Sequence, residues 1–426
     1  MGYFPPPAFP RSMFRIEADL LIPGSGDPIK NGCVVIEGGT VTYAGAIEGA
    51  PKGGGGFRTV RVPTVMPGMW DCHGHFIGIR SANIEEMIRT PVPVLSGRIV
   101  KDAEQALAAG FTSVREPGGF GVYLSRIVDE GTVAGPHIYG AGASLSQTGG
   151  HGDFHSYPLD FVASLAGKGW LTVLCDGEAE CRKGVRRNLR VGARLIKVLA
   201  SGGVMSELDH PIHQQFSDEE LRAIVDEATR ADRIVAAHCH GKPGIVAALK
   251  AGCGTIEHGT YLDDESAEMM IQRKATLVPT RFILERLFRF AKEVGVPDYA
   301  LAKLQYITSR HLEALKLAIR KGVRIACGTD IYSSSGSPVG WGLNGNEPAY
   351  LVGAGMSPLK AIEAATANGP ATLGPQAPKS GLLRAGYDAD VLGVAGDPTR
   401  NIEVLANPAS ITHVWKSGTL AKAPAD

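Results

Sequence analysis

SDEELRAIVDEATRADRIVAAHCH, residues 217–240, decides how the chain folds. Ser217 followed by Glu220 is the S-x-x-E signature of a helix start, in which each side chain satisfies the other residue's backbone N–H. Leu221, Ile224, Val225 and Ala228 then recur at helical spacing, so the predicted helix has one apolar face. A short apolar strand, 234–238, follows and ends in histidine. Helix, turn, strand, polar end: this is one unit of a larger repeat.

Other copies have the same order. Residues 101–109, Gly110 and 111–116 form one; 178–191, Gly192 and 194–199 form another. Residues 243–251, Gly252 and 255–258 repeat it, as do 311–321, Gly322 and 323–327. Adding 62–66, 137–141 and 276–279 gives eight strands. Strands alternating with helices pair in parallel through right-handed crossovers. Eight such units predict an α/β fold, a (β/α)8 TIM-like barrel over residues 62–385. The two ends differ, with valines and isoleucines alternating with polar residues between Gly and Pro. Residues 1–61 and 386–426 are therefore expected to combine into one small β-sandwich beside the barrel.

Composition removes several alternatives. Lysine plus arginine and aspartate plus glutamate both number 43 of 426 residues, with no basic block, so neither nucleic acid nor an anionic membrane is expected as partner. No apolar run approaches the 18 residues or so of a membrane span. MGYFPPPAFPRSMFR lacks the apolar centre of a secretory signal, and Pro6 stands where a myristoylation motif needs Ser or Thr. The expected location is the cytoplasm. Seven scattered cysteines without a C-x-x-C pair support neither disulfides nor a cysteine zinc site. The 53–56 glycine run reads as a flexible turn. P-loop, dinucleotide fingerprint, H-E-x-x-H and a G-x-S-x-G elbow are all absent, which argues against nucleotide-dependent and serine-hydrolase chemistry.

Barrel enzymes place their chemistry at the C-terminal ends of the strands. Strand one runs into Trp70-Asp71-Cys72-His73-Gly74-His75, strand four holds Lys197, strands five and six end at His238 and His258, and strand eight ends at Asp330. Singly, each histidine reads as an ordinary hydrogen-bonded residue. Together, six nitrogen or oxygen ligands at five strand ends read as a metal site. Lys197, between Ile196 and Val198, is a buried cation that needs neutralising or pairing. His240 lies two residues past His238, so alternation aims it at the same mouth. His151 lies in the glycine-rich TGGHGD loop after strand three. His137, His155, His210, His213, His311 and His413 read as structural or surface residues.

On His73, His75, Lys197, His238, His258 and Asp330 the chain resembles the amidohydrolase superfamily, over roughly residues 15–422. Within it, PGMWDCHGHF, GASLSQTGGHGD, IKVLASGGVMS, AAHCHGKPGI, CGTD and ATANGPATLGPQAPKSG are similar to the ochratoxinase branch, which groups with Xaa-Pro dipeptidases and N-acyl-amino-acid carboxypeptidases. The resemblance implies two zinc ions. His73, His75 and Asp330 would hold the more buried one, His238 and His258 the more exposed one, and Lys197 would bridge both as an N6-carboxylated lysine. It further implies a metal-bridged hydroxide as nucleophile, with Asp330 carrying its proton to the leaving amine. His240 would contact substrate or the tetrahedral oxyanion, or else support the ligands from behind; His151 would bind the substrate carboxylate, or else brace its own loop.

The expected function is therefore cleavage of the amide to a C-terminal amino acid: ochratoxin A to ochratoxin alpha plus phenylalanine, N-acyl amino acids, and dipeptides. Met205, Tyr332 and Trp341 are expected to line the pocket for this small-molecule amide. A homo-oligomer is implied as well, an octamer among its forms. A cyclic-amide hydrolase would share the lysine and stays open as an alternative. Heterocycle deaminases of this superfamily typically lack that lysine, and a non-catalytic scaffold would have little reason to keep all six ligands.

Overall fold

The helix expected after Ser217 spans Asp218–Thr229, and its capping box is complete: Ser217 Oγ accepts the Glu220 N–H at 3.2 Å, and Glu220 accepts the Ser217 N–H at 2.7 Å. The next strand, Val235–Cys239, delivers the histidine. The computed structural model describes residues 13–52, 56–166 and 170–424. The expectations for the first 12 residues, and for the 53–56 turn apart from Gly56, lie outside the described residues. Helices Gly177–Val191 and Lys242–Ala251 stop where expected, at Gly192 and Gly252, whose φ of +96° and +101° a side chain would resist.

Eight parallel strands position the site. Met69–Asp71, Phe111–Glu116 and His137–Gly140 form one sheet. Ile196–Leu199, Val235–Cys239, Thr255–His258, Thr276–Val278 and Arg324–Ile325 form a second in chain order, with Ser144–Ser146 and Thr172–Leu174 added at its first edge. Hydrogen bonds span the gaps between the two sheets, among them Arg194 N–H to the Gly140 carbonyl (2.9 Å) and Cys72 N–H to the Cys327 carbonyl (2.8 Å). Apolar helix faces, such as Leu221, Ile224 and Ala228, pack on the outer side of these strands in one large core.

One expected barrel strand belongs elsewhere. Residues 62–66 lie within Phe57–Pro67, which pairs in parallel with Met13–Leu21 and antiparallel with Val391–Val394 in the terminal sheet. The first barrel strand is the shorter Met69–Asp71. Period-two alternation marks a strand but not which sheet it joins, and Gly68 hides the break. Its backbone passes so close to Thr112 that a Cβ would sit 2.0 Å from the Thr112 Oγ1.

The two chain ends combine, as their patterns suggested, into a separate domain, but as one curled sheet and not the two-layered sandwich expected. Its seven strands form one continuous mixed sheet in the order Thr419–Lys422, Ile411–Lys416, Val391–Val394, Phe57–Pro67, Met13–Leu21, Ile29–Glu37, Thr40–Ala46. The sheet curls until its far ends meet, with Ala389 N–H donating to the Gly39 carbonyl and Gly418 N–H to the Ala389 carbonyl, both at 2.9 Å. Phe14, Ile16, Val34, Ile36, Val391 and Trp415 fill the inside. No helix among the described residues is long and apolar enough to cross a membrane.

Candidate metal centre

The ends of the first and last barrel strands are fixed to each other by Asp71. Its buried carboxylate accepts from the His73 N–H (3.1 Å), the Thr329 N–H (3.0 Å), the Thr329 hydroxyl (2.6 Å) and the Asn344 amide (2.6 Å). His73 and Asp330 are thereby held side by side, and Asp330 N–H donates to the His73 carbonyl at 2.6 Å. Asp330, His258 and Thr280 all take left-handed backbone, φ +59°, +69° and +56°. Such strain in non-glycine residues persists where surrounding contacts enforce it, commonly at functional sites.

Hydrogen bonds on the far side of each ring decide which nitrogen is free. His75 Nδ1 lies 2.5 Å from the Gly118 carbonyl, which can only accept, so Nδ1 carries the hydrogen and Nε2 a lone pair. His73 Nδ1 donates to Glu257 Oε2 at 2.6 Å, and its Nε2 is likewise free. Both Nε2 atoms face Asp330 Oδ1, at 3.1 Å from His75 and 3.5 Å from His73. Three acceptors thus converge, an arrangement that needs a cation between them. Burial works against charge on His75, yet the Asp330 carboxylate beside it outweighs burial and raises the imidazole pKa.

In the second group a carbonyl decides the free nitrogen of His238 alone. His238 donates Nε2–H to the Gly202 carbonyl (3.2 Å), leaving Nδ1 free. His258 and His240 are bonded at Nδ1 to the hydroxyls of Thr280 and Thr260, both at 2.7 Å. One ring nitrogen from each of His238, His240 and His258 lies within 4.8 Å of the others, and His258 also groups in that way with His73 and Asp330. Burial lowers the His73 pKa to about 4 and the His240 pKa to about 3, and takes His238 and His258 well below the ordinary value. Neutral imidazoles with their second nitrogen tied off are the usual form of metal-ligating histidine. The donor set therefore fits a metal, and His240 stands nearer the cluster than its place behind the ligands had suggested.

Lys197 is buried, and its Nζ has no hydrogen-bond partner among the described residues. Burial lowers its pKa to about 8. Burial thus shifts the side chain towards its neutral amine relative to an ordinary lysine. Below it sits a pair the sequence did not single out. Glu257 and Arg115 meet at 2.6 Å with both side chains fully buried. Burial would raise the Glu257 carboxyl, but Arg115 and His73 hold it well below the usual range. Glu257 adjoins His258 in TIEHGT, and both reach His73, Glu257 through a hydrogen bond to Nδ1 and His258 with its ring centroid 5.1 Å from that of His73.

Lys197, the five histidines at the strand ends, Asp330 and His151 all border one cavity of about 210 Å³. Met205 and Tyr332 line it as expected, with Ile283, Leu284 and Leu287 beside them. Trp341 does not. Its indole is buried flat against Phe76 (ring centroids 4.2 Å apart, 3° between planes) and donates to the His75 carbonyl, because folding that large apolar ring under the strand removes more surface from water than a place in the mouth. His155, expected to be structural or at the surface, stands in the cavity wall, where its Nδ1 accepts the Leu208 N–H. His311 is structural, donating Nε2–H to the Pro279 carbonyl at 2.7 Å.

Comparison with known proteins agrees with this geometry. The amidohydrolase family profile matches residues 64–421. Ochratoxinase of Aspergillus niger is 43% identical over 422 residues, 96% of this chain and 86% of that protein. The crystal structure of A. niger ochratoxinase superposes with a TM-score of 0.89 at 40% identity, covering 97% of this chain and 96% of that one. A Xaa-Pro dipeptidase crystallised with methionine in its active site superposes with a TM-score of 0.86 at 30% identity, covering 96% and 99%. With imidazoles, a carboxylate and a buried lysine gathered at its strand ends, the chain belongs to the amidohydrolase family and is a hydrolase of amide bonds.

Proposed function

We propose that the protein is a binuclear zinc hydrolase that cleaves the amide to a C-terminal amino acid, releasing that residue from N-acyl amino acids, dipeptides and ochratoxin A. The observation that carries this reading is the set of imidazole lone pairs turned on Asp330 beside a buried, unpartnered lysine. His73, His75 and Asp330 would hold one ion and His238 and His258 the other, with Lys197 spanning both as a carbamate formed from its neutral amine and CO2. Bound there, the ions supply Lewis-acid activation of water and of the scissile carbonyl.

The chain's own residues do the rest. Asp330 takes the proton of the attacking water and passes it to the leaving amine, a role its carboxylate suits because His73, His75 and Lys197 overcome burial and keep it ionised. His240, held at Nδ1 by Thr260, offers Nε2 to the tetrahedral oxyanion. His151, at the cavity wall, binds the carboxylate of the leaving amino acid; release of a free amino acid is supported by the methionine bound in the active site of the related dipeptidase. Met205, Tyr332, Leu284 and Leu287 receive the acyl group. Further parts of the proposal are a closed eight-stranded barrel, bounded from the terminal sheet near Gly68 and residue 385, and a cytoplasmic homo-oligomer that reaches the octamer.

The test is free amino acid released by the purified protein from ochratoxin A, N-acyl amino acids, Xaa-Pro dipeptides and dihydrouracil, with and without chelator. Chelator-sensitive release of phenylalanine from ochratoxin A is the expected result. Silence on every linear amide with opening of the cyclic one would overturn the substrate class.

A further inference from the structure

The loop that follows the Ile196–Leu199 strand is fastened by one ammonium group. Lys303, on helix Asp298–Lys321, donates to the carbonyls of Gly203 (3.1 Å), Ser206 (2.7 Å) and Asp209 (2.7 Å) and to Asp209 Oδ1 (3.1 Å). The Asp209 carboxylate is itself buried. Its Oδ2 accepts the Gly203 N–H (2.9 Å) and the Gln215 amide (3.2 Å), and its Oδ1 accepts the Ser206 hydroxyl. A hydroxyl has one hydrogen. Since Ser206 commits its hydrogen to Asp209, its oxygen can only accept from His151 Nδ1, 2.7 Å away.

His151 is fixed from three further directions. Its N–H donates to Gln215 Oε1 (3.0 Å), the same amide that reaches Asp209. Its ring lies against His238, with centroids 4.5 Å apart. Gly203 meets the ring so closely that a Cβ there would sit 2.1 Å from it. With Nδ1 turned inward to Ser206, the Nε2 edge is the one presented to the cavity that His151 borders.

We propose that Asp209, acting through Ser206 and through its own Oδ2 3.8 Å from His151 Nδ1, is a positioning residue that sets the His151 imidazole for the substrate carboxylate, and that Lys303 locks this relay to the barrel wall. The assignment rests on the carboxylate-binding role given to His151 above. Neither Ser206 nor Asp209 meets the reacting atoms, so their loss acts on substrate binding and not on the chemical step.

The experiment measures kcat and KM for an N-acyl-phenylalanine and for the same compound capped as its carboxamide. The proteins are the metal-loaded wild type, Ser206→Ala, Ser206→Thr, Asp209→Asn, His151→Ala and the Ser206→Ala/His151→Ala pair. Loss of one such bond is expected to raise KM for the free acid about tenfold in Ser206→Ala and Asp209→Asn, with kcat within about threefold. KM for the carboxamide should not change, Ser206→Thr should restore the acid's KM, and Ser206→Ala should add nothing once His151 is alanine. An unchanged KM for the acid, an equal rise for acid and carboxamide, or additive effects in the pair would overturn the proposal. If Asp209→Asn does not fold, the two Ser206 variants carry the test alone. Failure of wild type to release any amino acid would overturn the substrate reading itself, and this assignment with it.

Discussion

Replacing Arg115 by methionine tests whether the buried Arg115–Glu257 pair supports the centre. Arg115 donates from Nε to the Cys72 carbonyl (2.5 Å), from Nη1 to Thr255 Oγ1 (3.0 Å) and from Nη2 to Glu257 Oε2 (2.6 Å), and neither charged side chain reaches solvent. Methionine fills similar space but strands a carboxylate in the interior. Removing one partner of a buried ion pair costs about 3–5 kcal/mol. An unfolding entropy of about 2.1 cal/mol/K per residue over 426 residues is about 0.9 kcal/mol/K, so the expected fall in Tm is about 3–6 °C. Calorimetry on Arg115→Met, Glu257→Gln and the double variant, at matched metal content and scan rate, reads the effect. The double variant buries no charge and should recover most of the loss, while the amide oxygen introduced by Glu257→Gln can still accept from His73 Nδ1. A Tm lowered by less than about 1 °C in Arg115→Met, or a double variant as unstable as the single one, would refute the reasoning.

Three further outcomes are expected. Lys197→Ala should reduce amide hydrolysis by several orders of magnitude without rescue by bicarbonate, as about 10³-fold or more is typical when a unit of the machinery is lost; more than a tenth of the wild-type rate would remove the carbamate from the mechanism. Asp330→Asn should keep the Asp71 tie and the fold, as seen by circular dichroism, yet lower kcat by about 10²–10⁴-fold; full activity would require another proton carrier. Glu347 accepts the Arg281 N–H (3.0 Å) and Phe282 N–H (2.5 Å), and burial raises its pKa to about 8 from an ordinary 4.5. Between those values the folded state binds more protons than the unfolded one, so this group's contribution to stability falls as pH rises through the window. Tm of Glu347→Gln relative to wild type should therefore climb from pH 5 to pH 8; a flat difference would contradict the assigned shift.

All of the strand–helix repeat but its first strand was legible because helical and strand periodicities differ and because Ser217, Glu220 and Gly192 punctuate the units locally. The candidate ligands were legible because strand ends are where this fold places chemistry, and the structure gathers them at one cavity. Arg115 and Glu257 were not, since a charged residue inside a strand looks the same whether it faces solvent or a partner 142 residues away. Trp341 was misplaced and His155 overlooked for a related reason: a loop's residue types do not fix the direction in which it folds.

Sequence by itself thus determined the parallel α/β repeat, the combination of the two chain ends, and the convergence of His73, His75, Lys197, His238, His258 and Asp330 on one cavity. These follow from patterns that act over a few residues. Only the tertiary structure decided that residues 62–66 join the terminal sheet, that His73 and His75 turn their Nε2 atoms onto Asp330, and that a lysine of helix Asp298–Lys321 governs the loop holding His151. Those outcomes depend on hydrogen bonds between segments far apart in the chain. Burial makes such bonds obligatory, but nothing local in the sequence names the partner.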